Sequence, residues 1–573
     1  MIDLRGRRGH VMALVGAATC LAGFAMAAPA GAHPHGALYV SATAGPGGDG
    51  SRTAPYASLA AVEAASDPGD TIVVLPAPSS VPPLDGGIAL KSRQSLIGAG
   101  PAVVGEGTAP DVAPRITNTS ADHNSGDAVS LASGTEVRNL VIANSYRGAI
   151  YGTNIDRAVV AGNDISAANT SCTEGIYNYF PPPVTFSFPS GWAGIMVDND
   201  AGASALQING NFLHDSACSD GIDLRAFGTA RVRANVDDND ITRLAQGPGF
   251  GAVQALGMQT RDDARLTVES DRNTETYIGD PAADAEGLFA NQTGGELVWK
   301  LDRNTYAHGI GLQSTNGAEF HAAGQGGLLD VEITNSTFTD NPGDMIEEIN
   351  DGTGGTIRVT LDHVNVSHTT HAPLSPEPTI PPLGYGALTG LGFCFSQFHT
   401  APQGTTQLRM VDSEFSDCVS DGILAFYGNL PQYGFATGPG RLSSIDIENS
   451  KITDTGQYAL HWINYGQLDA LAIRARRSTF SNAHGNAVVA FDQAPGASTT
   501  DAAIDLGGGP LRNVGRNCIT GGANLAAETT GYDVALQRAW WGTPSGPAPQ
   551  QLSATGGTIR TDPALSAPPP GCS

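Results

Sequence analysis

The chain is poor in lysine: only Lys91, Lys300 and Lys451 occur in 573 residues. With 30 basic against 56 acidic side chains, its formal charge is −26. Phosphate binding needs a basic surface, so a nucleic-acid partner is not expected. The same negative field opposes direct capture of an anionic polymer unless calcium or local arginines intervene. Long apolar runs are also missing. After the opening residues, no segment approaches the roughly 20 apolar residues that cross a bilayer, so no membrane insertion is expected. Heptads and amphipathic helices are absent, as is any regular series of Asn-Gly hairpins, and this argues against helical repeats, propellers and sandwiches. With no phosphate loop, nucleotide fingerprint or nucleophile elbow, no organic cofactor is expected.

The opening is what a secretion signal requires. Arg5, Arg7 and Arg8 precede an apolar run over residues 11–27, and Ala30-Gly31-Ala32 supplies small residues for cleavage. Residues 1–32 are therefore assigned as a signal peptide, with export of residues 33–573. Removal of Cys20 with that signal leaves an even set: Cys172, Cys218, Cys394, Cys418, Cys518 and Cys572. In an oxidising compartment these read as up to three disulfides, and their spacing fits no zinc site.

A short pattern then repeats: Asn or Asp, a small or polar residue, an apolar residue, a polar turn, and Gly followed by Ile, Leu or Ala. Its starts include Asn139, Asn163, Asn211, Asn239, Asn304, Asn335, His363, Asp412, Asn449 and Arg477. Second strands follow at Gly194-Ile195, Gly221-Ile222, Gly287-Leu288, Gly309-Ile310 and Gly422-Ile423. Many starts are separated by roughly 24–31 residues, one turn of a superhelix. A single turn cannot bury its own apolar face, but a stack buries a continuous core and aligns Asn above Asn as a ladder. The expected fold is all-β: a single-stranded, right-handed parallel β-helix. Cys172 and Cys218 follow Asn163 and Asn211 at similar points of the turn, so they are expected to bond across neighbouring rungs. Cys518 with Cys572 would tie the tail over the last rung, and Cys394 with Cys418 is less secure.

The segments at the two ends resemble the pectate-lyase-like superfamily. At the start these are Tyr39-Val40-Ser41, Gly48-Asp49-Gly50, Pro55-Tyr56-Ala57-Ser58-Leu59 and Pro68-Gly69-Asp70-Thr71-Ile72. The tail Ala539-Trp540-Trp541-Gly542 with Gly546-Pro547 is similar to that superfamily's closing rung. The resemblance implies a first strand, a short capping helix near residues 58–65, a C-terminal cap, and no particular chemistry.

Function in such a solenoid comes from outward side chains and from loops grown at one corner. Two insertions, near 173–192 and 367–385, leave the same corner roughly six rungs apart, or about 29 Å at ordinary strand spacing. Between such walls an extended polysaccharide fits a groove on the outer sheet. Its expected catalytic residues are Asp223, Arg225 and Asp198, because neighbouring carboxylates raise one another's pKa and an arginine can neutralise or accept charge. Asp198, Asp200 and Asp223 are the candidate ligands for calcium. Tyr179, Trp192, Asn291, Gln313 and Glu348 are the candidate glycan contacts. A second acidic group, Asp340, Asp344, Glu347, Glu348 and Asp351, could supply a hydrolytic acid and base, although Glu347 and Glu348 must face opposite ways in a strand. His308 before Gly309-Ile310 and the trio His363, His368 and His371 are weaker candidates, for catalysis and for metal binding. The expected activity is lyase or glycoside hydrolase action on an extracellular glycan, by a monomer. The alternative is a non-catalytic carbohydrate-binding or surface β-helix.

Overall fold

The computed structural model describes residues 36–104, 111–179, 187–248, 250–283, 285–312, 315–370, 392–428, 438–522 and 524–572, and side chains only outside 176–188. The assigned signal peptide lies outside these residues.

The short strands become stable by stacking. Three parallel sheets of 17, 13 and 15 strands run along the molecule. One rung passes through Arg157–Ala161 in the first sheet, Asp164–Ser166 in the second and Ile195–Asn199 in the third. The chain then re-enters the first sheet at Ala203–Asn209, with Arg157 beside Ala205, Asp164 beside Phe212 and Ile195 beside Ile222. This is the expected parallel β-helix.

In-register stacking aligns like with like. Val232, Leu266, Leu297, Leu329 and Ile357 form one inward column of the first sheet. Ile222, Leu256, Leu288, Ala318 and Ile346 form another in the third sheet. All ten lie in a single continuous core. At about 25 cal/mol per Å² of apolar surface removed from water, such columns are the main source of stability.

The turn between the first and second sheets carries the side-chain ladder, in a register that corrects the sequence reading. Asn163, Asn211, Asn239, Asn273 and Asn304 are bonded in series, each side-chain oxygen accepting from the backbone N–H of the preceding member at 3.0–3.1 Å. Ser336, Ser413, Ser450, Ser478 and Asn517 hold the same position further on. Asn139, Asn335, His363, Asp412, Asn449 and Arg477 instead sit one residue earlier, where φ is positive (47–56°). Asn and Asp tolerate that left-handed conformation, so two adjacent columns share one residue preference and merge in sequence.

A second correction concerns Gly309-Ile310-Gly311-Leu312, which forms no strand beyond a single bridge from Ile310 to Gly279. The third sheet takes Asn316–Ala322 instead. Ala318, Phe320 and Ala322 fill the core there, whereas two glycines have no side chain to bury.

The ends are closed as expected. Helix Leu59–Ala65, capped by Ser58 Oγ accepting from the Ala61 N–H at 3.2 Å, buries Leu59 and Val62 over the first rung. At the other end Trp541 enters the core while Trp540 stays half-buried. Disulfides join Cys172 to Cys218, Cys394 to Cys418 and Cys518 to Cys572, with Cα separations of 5.3, 5.6 and 5.7 Å. Among the described residues no helix is long and apolar enough to cross a membrane.

Candidate functional site

The sheets differ on their outer faces. Strands of the first sheet, such as Arg231–Asp237 and Arg265–Asp271, alternate buried and exposed residues, as expected with one face in water. In the third sheet Gln254–Thr260, Glu286–Gln292 and Asn316–Ala322 are buried at every position. Something therefore lies over that face.

Both insertions spring from the corner between the second and third sheets. The first forms a hairpin of Glu174–Tyr179 with Ser187–Gly191, entered after Asp164–Ser166 and left before Ile195–Asn199. The Cys172–Cys218 bond fixes its base to the next rung. Ser190 bridges to Ala252 one rung further still, so the hairpin lies along the sheet. The second begins after Asn365–Thr369 and returns at Gly392 and Phe393, whose N–H groups donate to Asp344 Oδ1 at 3.0 and 3.1 Å. Residues 371–391, including His371, lie outside the described residues. Six strand spacings separate Ile195–Asn199 from Phe395–His399, as the sequence reading had it.

Three outward columns run between these walls. Nearest the corner are Asp220, Gln254, Glu286, Asn316 and Asp344. Next come Asp223, Gly257, Phe289, Glu319, Glu347 and Ser396. The third holds Asp198, Arg225, Gln259, Asn291, His321, Ile349 and Phe398. The first two columns thus gather Asp220, Asp223, Glu286, Glu319, Asp344 and Glu347 on one face, each at most 6% exposed.

Burial decides their electrostatics. It lifts Asp220 to about 8, against hydrogen bonds from Ser190 and the Gln254 N–H. Burial and then repulsion from Asp220 push Asp223 well above the ordinary carboxyl range, and Arg225 offsets only part of this. Glu286 is raised by burial and by Glu319, Asp220 and Glu347. Glu347 is raised by burial, Glu319 and Asp344, while Asn316 donates to it at 2.5 Å. Asp220, Asp223, Glu286 and Glu347 are thus all biased towards holding protons, because closely spaced buried carboxylates cannot all ionise.

Gly257 lies where the row is packed most tightly, with Asp223 and Gln254 occupying the space a side chain would need. A Cβ there would collide with Asp223 Oδ1 and lie 2.6 Å from Gln254 Oε1. Gln254 in turn donates to Glu286 at 3.2 Å, linking the aspartate pair to the glutamate group.

The sequence-derived candidates fall as follows. Asp223 is central to the row. Asp198 and Arg225 pair with each other at 3.0 Å beside it. Arg225 also reaches the Gly175 carbonyl at 3.4 Å and lies near Trp192 and Phe227, so it ties the hairpin down and is not an open outward residue. Asp200 is an exposed turn residue off the sheet. Asp198, Asp200 and Asp223 do not converge on one ion-sized point. These three do not fit calcium as a set. Trp192 is clasped by the Arg147 guanidinium at 4.1 Å and by Tyr151 at 5.2 Å, so it roots the wall and offers no free ring face. Asn291 is outward in the third column. Glu348 is a correction: it stacks between Phe320 and Gln397 in an inward column and accepts from Gln397 at 2.9 Å. Glu347 takes the outward position, as strand alternation demands. Gln313 and the side chain of Tyr179 lie outside the described residues.

The weaker candidates lie elsewhere. His308 and His368 pair with Asp340 on the surface of the second sheet. His363 sits with Asp362 and Asp412 on the exposed ladder corner. Within the trough His321 binds Asp351 at 2.9 Å; burial opposes its protonation, but that carboxylate outweighs it and raises the pKa.

Sequence reading missed Asp220, Glu286 and Glu319. A signal for them exists: Asp220-Gly-Ile-Asp223, Asn316-Gly-Ala-Glu319 and Asp344-Met-Ile-Glu347 each place a polar residue at the corner and an acid three residues on. No protein-family model matches this chain, and no curated protein shows significant similarity to it.

Proposed function

We propose that this chain is a secreted glycoside hydrolase, of the pectate-lyase-like kind its end segments resemble, cleaving an extended glycan laid along the outer face of the third sheet. The observation that carries this reading is the row of six desolvated acids between two corner insertions. Hydrolysis of a glycosidic bond needs one carboxyl that still holds a proton and a second that can take one. The Asp220–Asp223 pair supports the first role, because burial and mutual repulsion keep a proton on it at neutral pH. That proton passes to the leaving oxygen as the bond breaks. Glu286 with Glu319 supports the second role: one of them, ionised, takes a proton from the attacking water. Glu286 stands two rungs from the Asp220–Asp223 pair, across the Gln254 strand and roughly 9–10 Å away at the backbone, and Glu319 lies one rung further. Such a gap leaves room for a water and favours inversion at the anomeric carbon. Lyase action is less well supported, since these acids would repel the uronate that elimination requires.

The test is a panel of soluble polysaccharides incubated with the secreted protein, reading new reducing ends and ultraviolet-absorbing unsaturated ends separately. Reducing ends of inverted configuration by NMR, lost in Asp223→Asn, are the expected result. Unsaturated ends would replace hydrolysis with elimination, and glycan binding without new ends would leave a non-catalytic binding protein.

A further inference from the structure

The corner between the first and second sheets carries a charged column of its own. From Asp238 to Arg538, the residue just before each ladder position is exposed and has positive φ. Where arginines stand early in this column, acids hold them. Arg272 binds Asp238 at 2.6 Å and also Asp271, and Arg303 binds Asp271 at 2.7 Å and Asp302 at 2.9 Å. Asp271 and Asp302 belong to the adjacent column, in register with each other.

The C-terminal end of the column is different. Arg477, Arg516 and Arg538 stand on three successive rungs: Arg477 donates its N–H to the Gly515 carbonyl at 3.0 Å, and Arg516 donates to the Arg538 carbonyl at 2.8 Å. Arg477 shares Glu448 with Arg476. Arg516 and Arg538 are preceded by Gly515 and Gln537, where the early arginines have aspartates. Among the described residues neither guanidinium has an ion-pair partner. Arg512, in the loop that enters this rung, and Arg560, at the end of strand Thr558–Arg560, are exposed and equally unpaired.

The nearby carboxylates do not serve them. Asp505 is buried and accepts backbone N–H groups of Gly507, Gly509, Leu511 and Asn513. Asp533 accepts from Thr558 at 2.6 Å, and the exposed Asp562 forms no ion pair with these arginines. Like charges stacked at the strand spacing of about 4.8 Å repel one another. An arginine in a left-handed turn also displaces the Asn or Asp that the turn accepts best. Early in the column, ion pairs offset both costs. At Arg516 and Arg538 nothing among the described residues does.

An oxyanion would, because a guanidinium fork grips it through two parallel N–H donors. The shape of the row limits what carries that anion. Three arginines in line span roughly 10 Å, two strand spacings, in a chain whose formal charge is −26. A bilayer or a nucleic-acid duplex is broad, and would bring phosphates against the acidic surface on either side, within a Debye length of about 8–10 Å. A narrow chain with one anionic group per repeat can follow the row alone.

We infer that this C-terminal corner is an anchoring site for an acidic polysaccharide, its anionic groups held by Arg477, Arg516 and Arg538. The site lies on a different corner from the acid row and stands whether or not that row cleaves a glycan. Local arginines here overcome the field that opposes anionic polymers elsewhere on the chain.

Titration calorimetry of the full secreted protein tests this with four probes: a galacturonate hexamer, a sulfated heparin hexasaccharide, a single-stranded DNA dodecamer and phosphatidylglycerol vesicles. At least one acidic hexamer is expected to bind. Arg516→Gln combined with Arg538→Gln should weaken that hexamer by about tenfold or more, the scale of one charge-assisted hydrogen bond. The same variant should melt no earlier than the parent, since it removes like-charge repulsion and no ion pair. Arg272→Gln, whose guanidinium is already paired, and Asp223→Asn in the acid row should leave the binding unchanged. Binding that survives the double variant overturns the assignment, as does a failure of both hexamers to bind. Tighter binding of the DNA or the vesicles, lost in the double variant, replaces the polysaccharide with nucleic acid or membrane.

Discussion

Replacing Asp220 with Asn should stabilise the protein at neutral pH and do nothing in acid. Burial raises this carboxyl to about 8 from its ordinary 3.8. Between those values the folded chain keeps a proton that the unfolded chain has released. The raised pKa therefore contributes stability that is fully present below about pH 4 and drains away as pH climbs towards 8. At pH 7 the gap is about three units, an upper bound on the order of 4 kcal/mol at 1.36 kcal/mol per unit. Relaxation and the shared proton with Asp223 reduce the measured part to about 1–4 kcal/mol, a few degrees of melting temperature. An amide does not titrate, so the variant escapes this loss. Its Oδ1 still accepts the Gln254 N–H, a bond of 2.9 Å in the parent, and its Nδ2 can donate to Asp223. His461, lifted to about 9 between Asp421 and Asp492, titrates with the same sign in both proteins and cancels in the comparison. Thermal or urea unfolding of parent and variant at pH 4 and pH 7 makes the measurement. Destabilisation at pH 7, or an equal gain at both pH values, would refute the buried, proton-retaining acid pair.

Gly257→Ala should abolish glycan cleavage with the β-helix intact by circular dichroism, because the added methyl displaces the Asp223 and Gln254 side chains that fill the space beside it; unchanged turnover would place the chemistry elsewhere. Arg225→Ala should cost about 1–3 kcal/mol in urea unfolding, since it strands Asp198 and frees the hairpin at Gly175. Stability equal to the parent's would return Arg225 to the solvent-facing role read from sequence. Serine at both Cys172 and Cys218 should lower stability by about 2–4 kcal/mol. Limited proteolysis should then cut first near the Glu174–Gly191 hairpin, and cleavage first at another site would mean the bond does not hold that wall.

The repeat was legible in the residues because solenoid stacking writes the same demand into every turn. A core position stays apolar through Val232, Leu266, Leu297, Leu329 and Ile357, and the ladder position from Asn163 to Asn517 keeps an amide or hydroxyl on every rung but that of Val364. Asn273 escaped notice because it lies between Arg272 and Thr274, and its neighbours 34 and 31 residues away are spaced unevenly by loops. The Cys172–Cys218 bond and the corner of both insertions were open to reading from position within one rung, and the capping helix from the resemblance of the opening segment; Cys394–Cys418 was less secure because its two residues occupy different parts of their rungs.

The candidate site was only half legible. Asp223, Asp198 and Arg225 could be assigned to neighbouring rungs, but not the fact that Asp198 and Arg225 satisfy each other. The choice of Glu348 over Glu347 failed by one residue, and one residue reverses the face of a strand. Local sequence fixed which side chains repeat, because backbone register and side-chain alternation are short-range properties. Only the tertiary structure decided that six acids share a buried face, because burial depends on segments from other rungs, such as Ser190 of the hairpin beside Asp220 and Gly392 and Phe393 at Asp344. Desolvation of a charge depends on everything packed around it, and that is what turns ordinary carboxylates into a row of retained protons.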